Sequence, residues 1–278
     1  MTRIIIDSTS DLPQQVKART FVVPLTVRFG DEEFIDGVTI DHKKFYEMLV
    51  ESDVLPTTSQ ATPDGFLQVY QQVRDAGDEA VVITIASKLS GTYQSATIAA
   101  EDYPEIQVID SRNAAIGSGI LVEYALRLAD QGWNAKAIAE ELMTARKRIR
   151  LIAMLDTLEY LKKGGRISAT AAIAGSLLNL KPVIGVENGE IQTLGKARGS
   201  KQGNNLLVKE IEKAGGVDFS MPLLLGYTGL SDALLQKYIV DSSYLWEGNV
   251  DHLNTVPICS VIGTHVGPGA VAVAFFQP

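Results

Sequence analysis

A two-domain α/β fold is what this sequence predicts, and three observations predict it. Short β-branched runs alternate with amphipathic stretches through the first half, the pattern of βαβ units around a mostly parallel sheet with helices on both faces. From about residue 150 hairpin and βα signals mix, which predicts a second, mixed α/β domain. The length, 278 residues, accommodates two domains. The expected division is 1–149 and 150–278, with no Pro- or Gly-rich linker to mark it.

Each element follows from its local chemistry. RIIID (3–7) reads as a strand, and Asp11-Leu12-Pro13 reads as the start of a short helix, with Asp11 as its cap. FVVPLTVRF (21–29) reads as a second strand, and DEEFIDG as a returning hairpin arm. Asp41 is placed to cap the helix HKKFYEMLVES. Thr62-Pro63-Asp64 starts another helix, whose Phe66, Leu67, Val69, Tyr70 and Val73 form an apolar face. AVVITI is a strand followed by the loop ASKLSGTYQSA, which leads into a helix, and IQVID (106–110) is the next strand. GILVEYALRLADQG and NAKAIAEELMTARKRI are helices. Beyond them, RLIAML (150–155) is a strand and SATAAIAGSLLNL (168–180) a helix of unusually small residues, which either packs closely or leaves room beside it. PVIGVENGEIQTLGKA is a hairpin turning at Asn188-Gly189. A helix near 203–214, the strand PLLLGYT, another helix and the strand GAVAVAFF complete the chain.

Composition narrows the function. Hydrophobic residues make up 46% and charged ones 21%, and the net charge is −8. That balance disfavours nucleic acid or an anionic membrane as the main partner, because phosphate backbones demand clustered Lys and Arg. The densest basic run, RKRIR (146–150), reads as a solvated helix end. The single cysteine, Cys259, cannot form an intramolecular disulfide and reads as a small core residue. No apolar run approaches the ~20 residues of a membrane span, and the sequence reads as that of a cytoplasmic protein. Three histidines and one cysteine make a His/Cys metal site improbable. There is no G-x-S-x-G elbow, no Walker loop and no complete dinucleotide fingerprint. No cofactor is indicated.

What remains is a set of hydroxyl-rich turns: DSTSD (7–11), PTTSQATP (56–63) and SKLSGT (87–92). In an open parallel sheet, ligands sit beyond the carboxyl ends of strands, where helix N-termini favour an anion. Each loop has an ordinary reading as a helix cap. Asp7 is either a general base or the cap of its own turn. Arg166 in KKGGRIS and Arg198 in GKARGSKQG sit in polar loops. His265, in GTHVGPGA, is held by glycines and a proline on both sides; it is either a functional group or a satisfied structural one.

Together, DSTSDL, PTTSQ, SKLSGTYQSA, LEYLKKGGRIS and GTHVGPGAVAVAF resemble, in order and spacing, the DegV family of bacterial fatty-acid-binding proteins, which includes the FakB subunits of fatty acid kinase. The resemblance spans Arg3 to Phe276. It implies a tunnel holding one long-chain fatty acid, the carboxylate gripped by Thr58 and Ser90, with Gly91 and Thr92 beside the same head group. Arg198, His265 and Arg166 are implied near the tunnel mouth as head-group or partner contacts, Arg198 or His265 supplying a cation for an acyl phosphate. The implied protein is non-catalytic. It presents its acid to a separate ATP-dependent fatty acid kinase, carries the acyl phosphate onward, and makes at most transient contact with membrane or an acyltransferase. Two other readings are a phosphotransferase or hydrolase using Asp7 or Ser90, and a lipid-sensing regulatory protein.

Overall fold

The computed structural model describes residues 1–167 and 180–278; the small-residue helix expected over 168–180 lies outside them, except for Leu180. Four strands form a wholly parallel sheet in the order β2-β1-β6-β7: β1 (Thr2–Asp7), β2 (Phe21–Val23), β6 (Glu79–Thr84) and β7 (Ile106–Asp110). Their near-continuous apolar runs are what a sheet covered on both faces requires. Ile4 and Ile6 point to one side, into a core built on α5 (Ala115–Asp130) and α6 (Ala135–Ala145). Ile5 points to the other, against Phe66 and Tyr70 of α3 (Pro63–Asp75) and Ala96 of α4 (Thr92–Ala99).

The second sheet is mixed, in the order β10-β9-β8-β13-β11-β12. It comprises β8 (Ile149–Met154), β9 (Leu180–Glu187), β10 (Glu190–Arg198), β11 (Leu224–Tyr227), β12 (Thr255–Pro257) and β13 (Val271–Phe276). All its pairings are antiparallel except β11 with β12. Ile152, Val271 and Val273 face a core with Leu207 and Ile211 of α8 (Gly199–Lys213), Tyr238 of α9 (Ala233–Asp241) and Trp246 of α10 (Ser243–Trp246). Leu151, Ala272 and Ala274 face α5 from the opposite side. Helix α5 is thus packed between two sheets, touching β1 and β6 on one flank and β8, β11 and β13 on the other. That is why its sequence is apolar nearly all round.

Three local expectations are revised. FVVPLTVRF is two strands, because Pro24 has no N–H to give a ladder. β2 joins the parallel sheet, while β3 (Thr26–Phe29) forms a small antiparallel sheet with β4 (Glu32–Ile35) and β5 (Thr57–Ser59), in the order β4-β3-β5. RKRIR is not a solvated helix end: Arg146–Arg148 make a 3₁₀ turn in which Arg146 is only 7% exposed. Asp11 caps nothing in its own short helix, α1 (Gln14–Lys17), which starts after Pro13 with no side-chain cap. The other caps stand. Asp41 accepts from the Lys44 N–H at the start of α2 (His42–Glu51), and Thr62 accepts from the Gly65 N–H. The β9–β10 hairpin turns at Asn188 and Gly189, both with positive φ.

Asp11 instead works at long range. Its Oδ1 accepts the Cys259 N–H at 3.0 Å, and Asp36 Oδ1 accepts the Ser260 N–H at 3.1 Å. These two buried carboxyl groups from the first half thereby satisfy the N-terminus of α11 (Ser260–Val266). Nearby, each ring nitrogen of His42 lies 2.8 Å from a backbone carbonyl of the second half, Ile258 or Gly229.

Burial raises both carboxyls; Asp11 rises to about 8, with Lys17 opposing and the Asp36 charge adding to the rise. The unfolded chain releases the Asp11 proton near 4, whereas the folded chain keeps it to about 8, so this group lowers stability as pH rises through that window. Asp11→Asn keeps the Oδ1 acceptor and removes the titration. The melting temperature of the variant minus that of the wild type is therefore expected to grow from pH 5 to pH 8 in thermal scans; a constant or shrinking difference contradicts the assignment.

Candidate functional site

Two of the three hydroxyl-rich loops, PTTSQ and SKLSGT, converge on one cavity of about 370 Å³, and no residue of DSTSD lines it. One end is polar, formed by Thr58, Gln60, Ser90, Gly91, Arg166 and His265. The rest is apolar. Leu151, Ala153 and Leu155 come from β8 and the residue after it, Ala272 from β13, Ile262 and Val266 from α11. Alternation along β13 makes this wall: its small residue Ala272 faces the cavity, while Val271 and Val273 pack into the opposite core. This periodic small–large pattern in GAVAVAFF is the sequence signal that could have located the apolar wall.

Thr58 is the middle residue of β5, held in register opposite Val27 of β3. Its Oγ1 lies 2.9 Å from His265 Nε2. The imidazole pKa falls to about 4 because burial disfavours the cation, with the Arg166 charge adding to the effect. The ring is neutral at physiological pH and carries one N–H. Nδ1 is buried without a partner, and an orphaned N–H is rarer than an orphaned acceptor. The hydrogen-bond pattern therefore assigns the proton to Nε2, donating to Thr58 Oγ1. Thr58 then has its own O–H free to donate into the cavity.

Ser90 reaches the same end from the loop after β6. The Leu89 and Ser90 N–H groups both bond the Ala86 carbonyl, at 2.9 and 3.2 Å, which coils the loop tightly. Ser90 Oγ lies 2.9 Å from Thr92 Oγ1 and accepts the Thr92 N–H at 3.3 Å. Thr92 is fully buried, accepts the Ala61 N–H and does not line the cavity; it orients Ser90. Gly91 caps α4, and a side chain there would run into the Gln60 carboxamide, whose Nε2 donates to Ser95 Oγ at 2.8 Å. Gln60 was not singled out from the sequence, although it closes the PTTSQ motif.

Arg166 ties the loop to α7 (Glu159–Lys163): its Nε donates to the Leu89 carbonyl at 3.2 Å and its Nη1 to the Gly164 carbonyl at 2.6 Å. Gly164 presses bare backbone on His265, since a Cβ there would meet Nδ1. Arg198 is not brought in: it is exposed at the end of β10, outside the cavity lining, with its N–H on Gln202 Oε1. Asp7 is also elsewhere. It is fully buried, its carboxylate accepting from the Thr9 N–H and O–H and from the Ile85 N–H, and burial raises its pKa. Among the described residues, no group of three or more His, Cys, Asp or Glu is placed to hold a metal ion, and no helix is long and apolar enough to cross a membrane.

A family profile described as "Uncharacterised protein, DegV family" matches residues 1–277. The chain belongs to the DegV family. A DegV domain-containing protein of Caldanaerobacter subterraneus is 36% identical over 277 residues, covering 98% of this DegV chain and 97% of the relative. A solved structure from Thermus thermophilus, described as fatty acid binding of a DegV family protein, superposes with a TM-score of 0.89 at 31% identity, covering 100% of this chain and 99% of that one. The Streptococcus pneumoniae fatty acid kinase B3 protein, loaded with linoleic acid, superposes with a TM-score of 0.87 at 25% identity over the whole of both chains.

The neutral His265 has a measurable consequence. Its folded pKa, about 4, lies below its ordinary 6.5, so the stability gained by keeping it neutral is full above pH 6.5 and is lost as pH falls toward 4. His265→Gln does not titrate. The melting temperature of the wild type minus that of this variant is expected to shrink between pH 7 and pH 4.5; a difference independent of pH contradicts a neutral buried imidazole.

Proposed function

We propose that this DegV protein binds one long-chain fatty acid in the cavity, its carboxylate held by Thr58 and Ser90, with Gly91 and Thr92 shaping that end. The observation that carries the reading is a predominantly apolar cavity with two hydroxyls and a guanidinium gathered at one end. Each buried methylene contributes about 0.8 kcal/mol, so the tail dominates affinity. The head-group hydrogen bonds set register, and charge-assisted bonds to a carboxylate are worth about 1.5–3 kcal/mol each.

The acid is then presented to a separate ATP-dependent fatty acid kinase, which converts it to acyl phosphate. This step rests on similarity to the Streptococcus pneumoniae kinase B3 protein. In this reading the chain is a non-catalytic carrier. Arg166, the cation at the polar end, faces the added phosphate charge; His265 serves as the neutral donor that aims Thr58; Arg198, outside the cavity, remains available for contact with the kinase. The carrier reading is favoured over hydrolase or phosphotransferase chemistry because Asp7 is committed to three hydrogen bonds away from Ser90.

Native mass spectrometry of the purified protein is expected to show one bound fatty acid, recoverable by solvent extraction. No acid recovered, and none bound on addition, overturns the proposal. Thr58→Ala with Ser90→Ala is expected to weaken binding by about a hundredfold or more while the fold is kept; unchanged affinity discards the head-group assignment. Ala153→Phe, which fills the apolar wall, is expected to abolish loading while leaving the hydroxyl cluster in place.

A further inference from the structure

A second depression, of about 240 Å³, opens beyond the carboxyl end of β7 and meets the first cavity's lining only at Val186. Its walls carry Arg112, Arg146, Lys147 and Arg150, with Asn113 and Glu187. Of the chain's eleven arginines, six are paired with carboxylates: Arg3, Arg19, Arg28, Arg74, Arg127 and Arg148. Of the remaining five, Arg112, Arg146 and Arg150 have no such partner among the described residues and line this one depression, while Arg166 and Arg198 lie elsewhere. In a chain of net charge −8, that leaves a local surplus of positive charge where counter-charges are abundant elsewhere.

Arg146 states the surplus most sharply. It is 7% exposed; its Nη1 donates to the Asp110 carbonyl and its Nε has no partner. Burial, and then the Arg112 charge, push its pKa down, the mark of a cation short of negative charge. A buried guanidinium without a counter-charge is costly. The nearby Asp110 carboxylate is already engaged by the Ser87 N–H and O–H and the Arg112 N–H. That last bond holds Arg112 at φ +53°, left-handed backbone that a non-glycine residue seldom adopts. Glu187, the acid in the lining, follows Val186, which pairs with Leu151, and so lies beside Arg150 on the neighbouring strand; it is exposed and forms no ion pair among the described residues.

We propose that this depression binds the phosphate group of a phosphomonoester. Guanidinium forks match phosphate oxygens two at a time, and the ends of parallel strands are where α/β sheets place such ligands. The volume is below the roughly 300–1,000 Å³ of sites for drug-sized ligands, which fits a phosphate with few attached atoms. The bound dianion supplies the counter-charge that Arg146 lacks.

Inorganic phosphate, titrated into the full-length protein against chloride of equal ionic strength, is expected to bind saturably with a Kd of about 1 mM or tighter by calorimetry. The double variant Arg112→Gln, Lys147→Gln is expected to weaken that binding by about tenfold or more, with its phosphate-free melting temperature and its fatty-acid content unchanged. Absence of saturable phosphate binding overturns the proposal, as does equal affinity in the double variant. Neither outcome bears on the acyl cavity, whose lipid content is read separately. Sedimentation with phosphatidic acid vesicles, competed by inorganic phosphate, identifies a lipid headgroup as the source of the phosphomonoester. Phosphate binding without sedimentation identifies a soluble one.

Discussion

The site depends on a two-turn helix fixed at both ends by the other half of the chain. α11 has seven residues, too few to be stable alone. Its first N–H groups are taken by Asp11 and Asp36, and its last turn carries His265, whose Nε2 reaches Thr58. If the carboxylates moved, the helix would lose its anchor and the imidazole its aim. Both carboxyls are buried with raised pKa, so they serve position at the expense of stability, a known role of buried ionisable groups.

Placement of α11 also sets the electrostatics of the polar end. The helix carries His265 far enough inward that burial and Arg166 keep it neutral. A neutral donor next to a threonine suits a monoanionic carboxylate, which is satisfied by hydrogen bonds without a full counter-charge. Arg166 spends two of its donors on the Leu89 and Gly164 carbonyls. The same guanidinium therefore fixes the Ser90 loop and lends its charge to the cavity, which links loop geometry to head-group charge through one side chain.

Much of this was legible in the sequence where the cause is local. The caps at Asp41 and Thr62, the turn at Asn188-Gly189 and the buried runs of β1 and β6 each follow from residues a few positions apart. Thr58, Ser90 and His265 were legible through motif resemblance, not through physics. What could not be read depends on contacts between distant segments. Asp11 resembles a local cap, yet it serves Cys259, 248 positions away. Thr92 looks equivalent to Ser90 but faces inward to hold it. Arg146 lies in a run that looks solvated and is buried by the turn it makes. Pro24 is the exception: the missing N–H was visible, and it divides the run between two sheets.

The apolar wall shows why a ligand site of this kind is also a matter of stability. Protein interiors are close-packed, and a core that leaves out side-chain volume forfeits dispersion contacts along the lining. Here the omission falls on the small residues Ala153 and Ala272, on strands whose other faces carry Ile152, Val271 and Val273 in a filled core, and on Ala270 just before β13. The backbone that builds the cavity is thus held by packing on its far side, so the wall stays in place without a filler. An apolar occupant restores the missing contacts only in the folded state, and by mass action its affinity appears directly as added folding stability. In the proposed reading, carrying such a ligand and completing the core are therefore a single energetic event, in which Thr58 and Ser90 would decide which end of the occupant is presented.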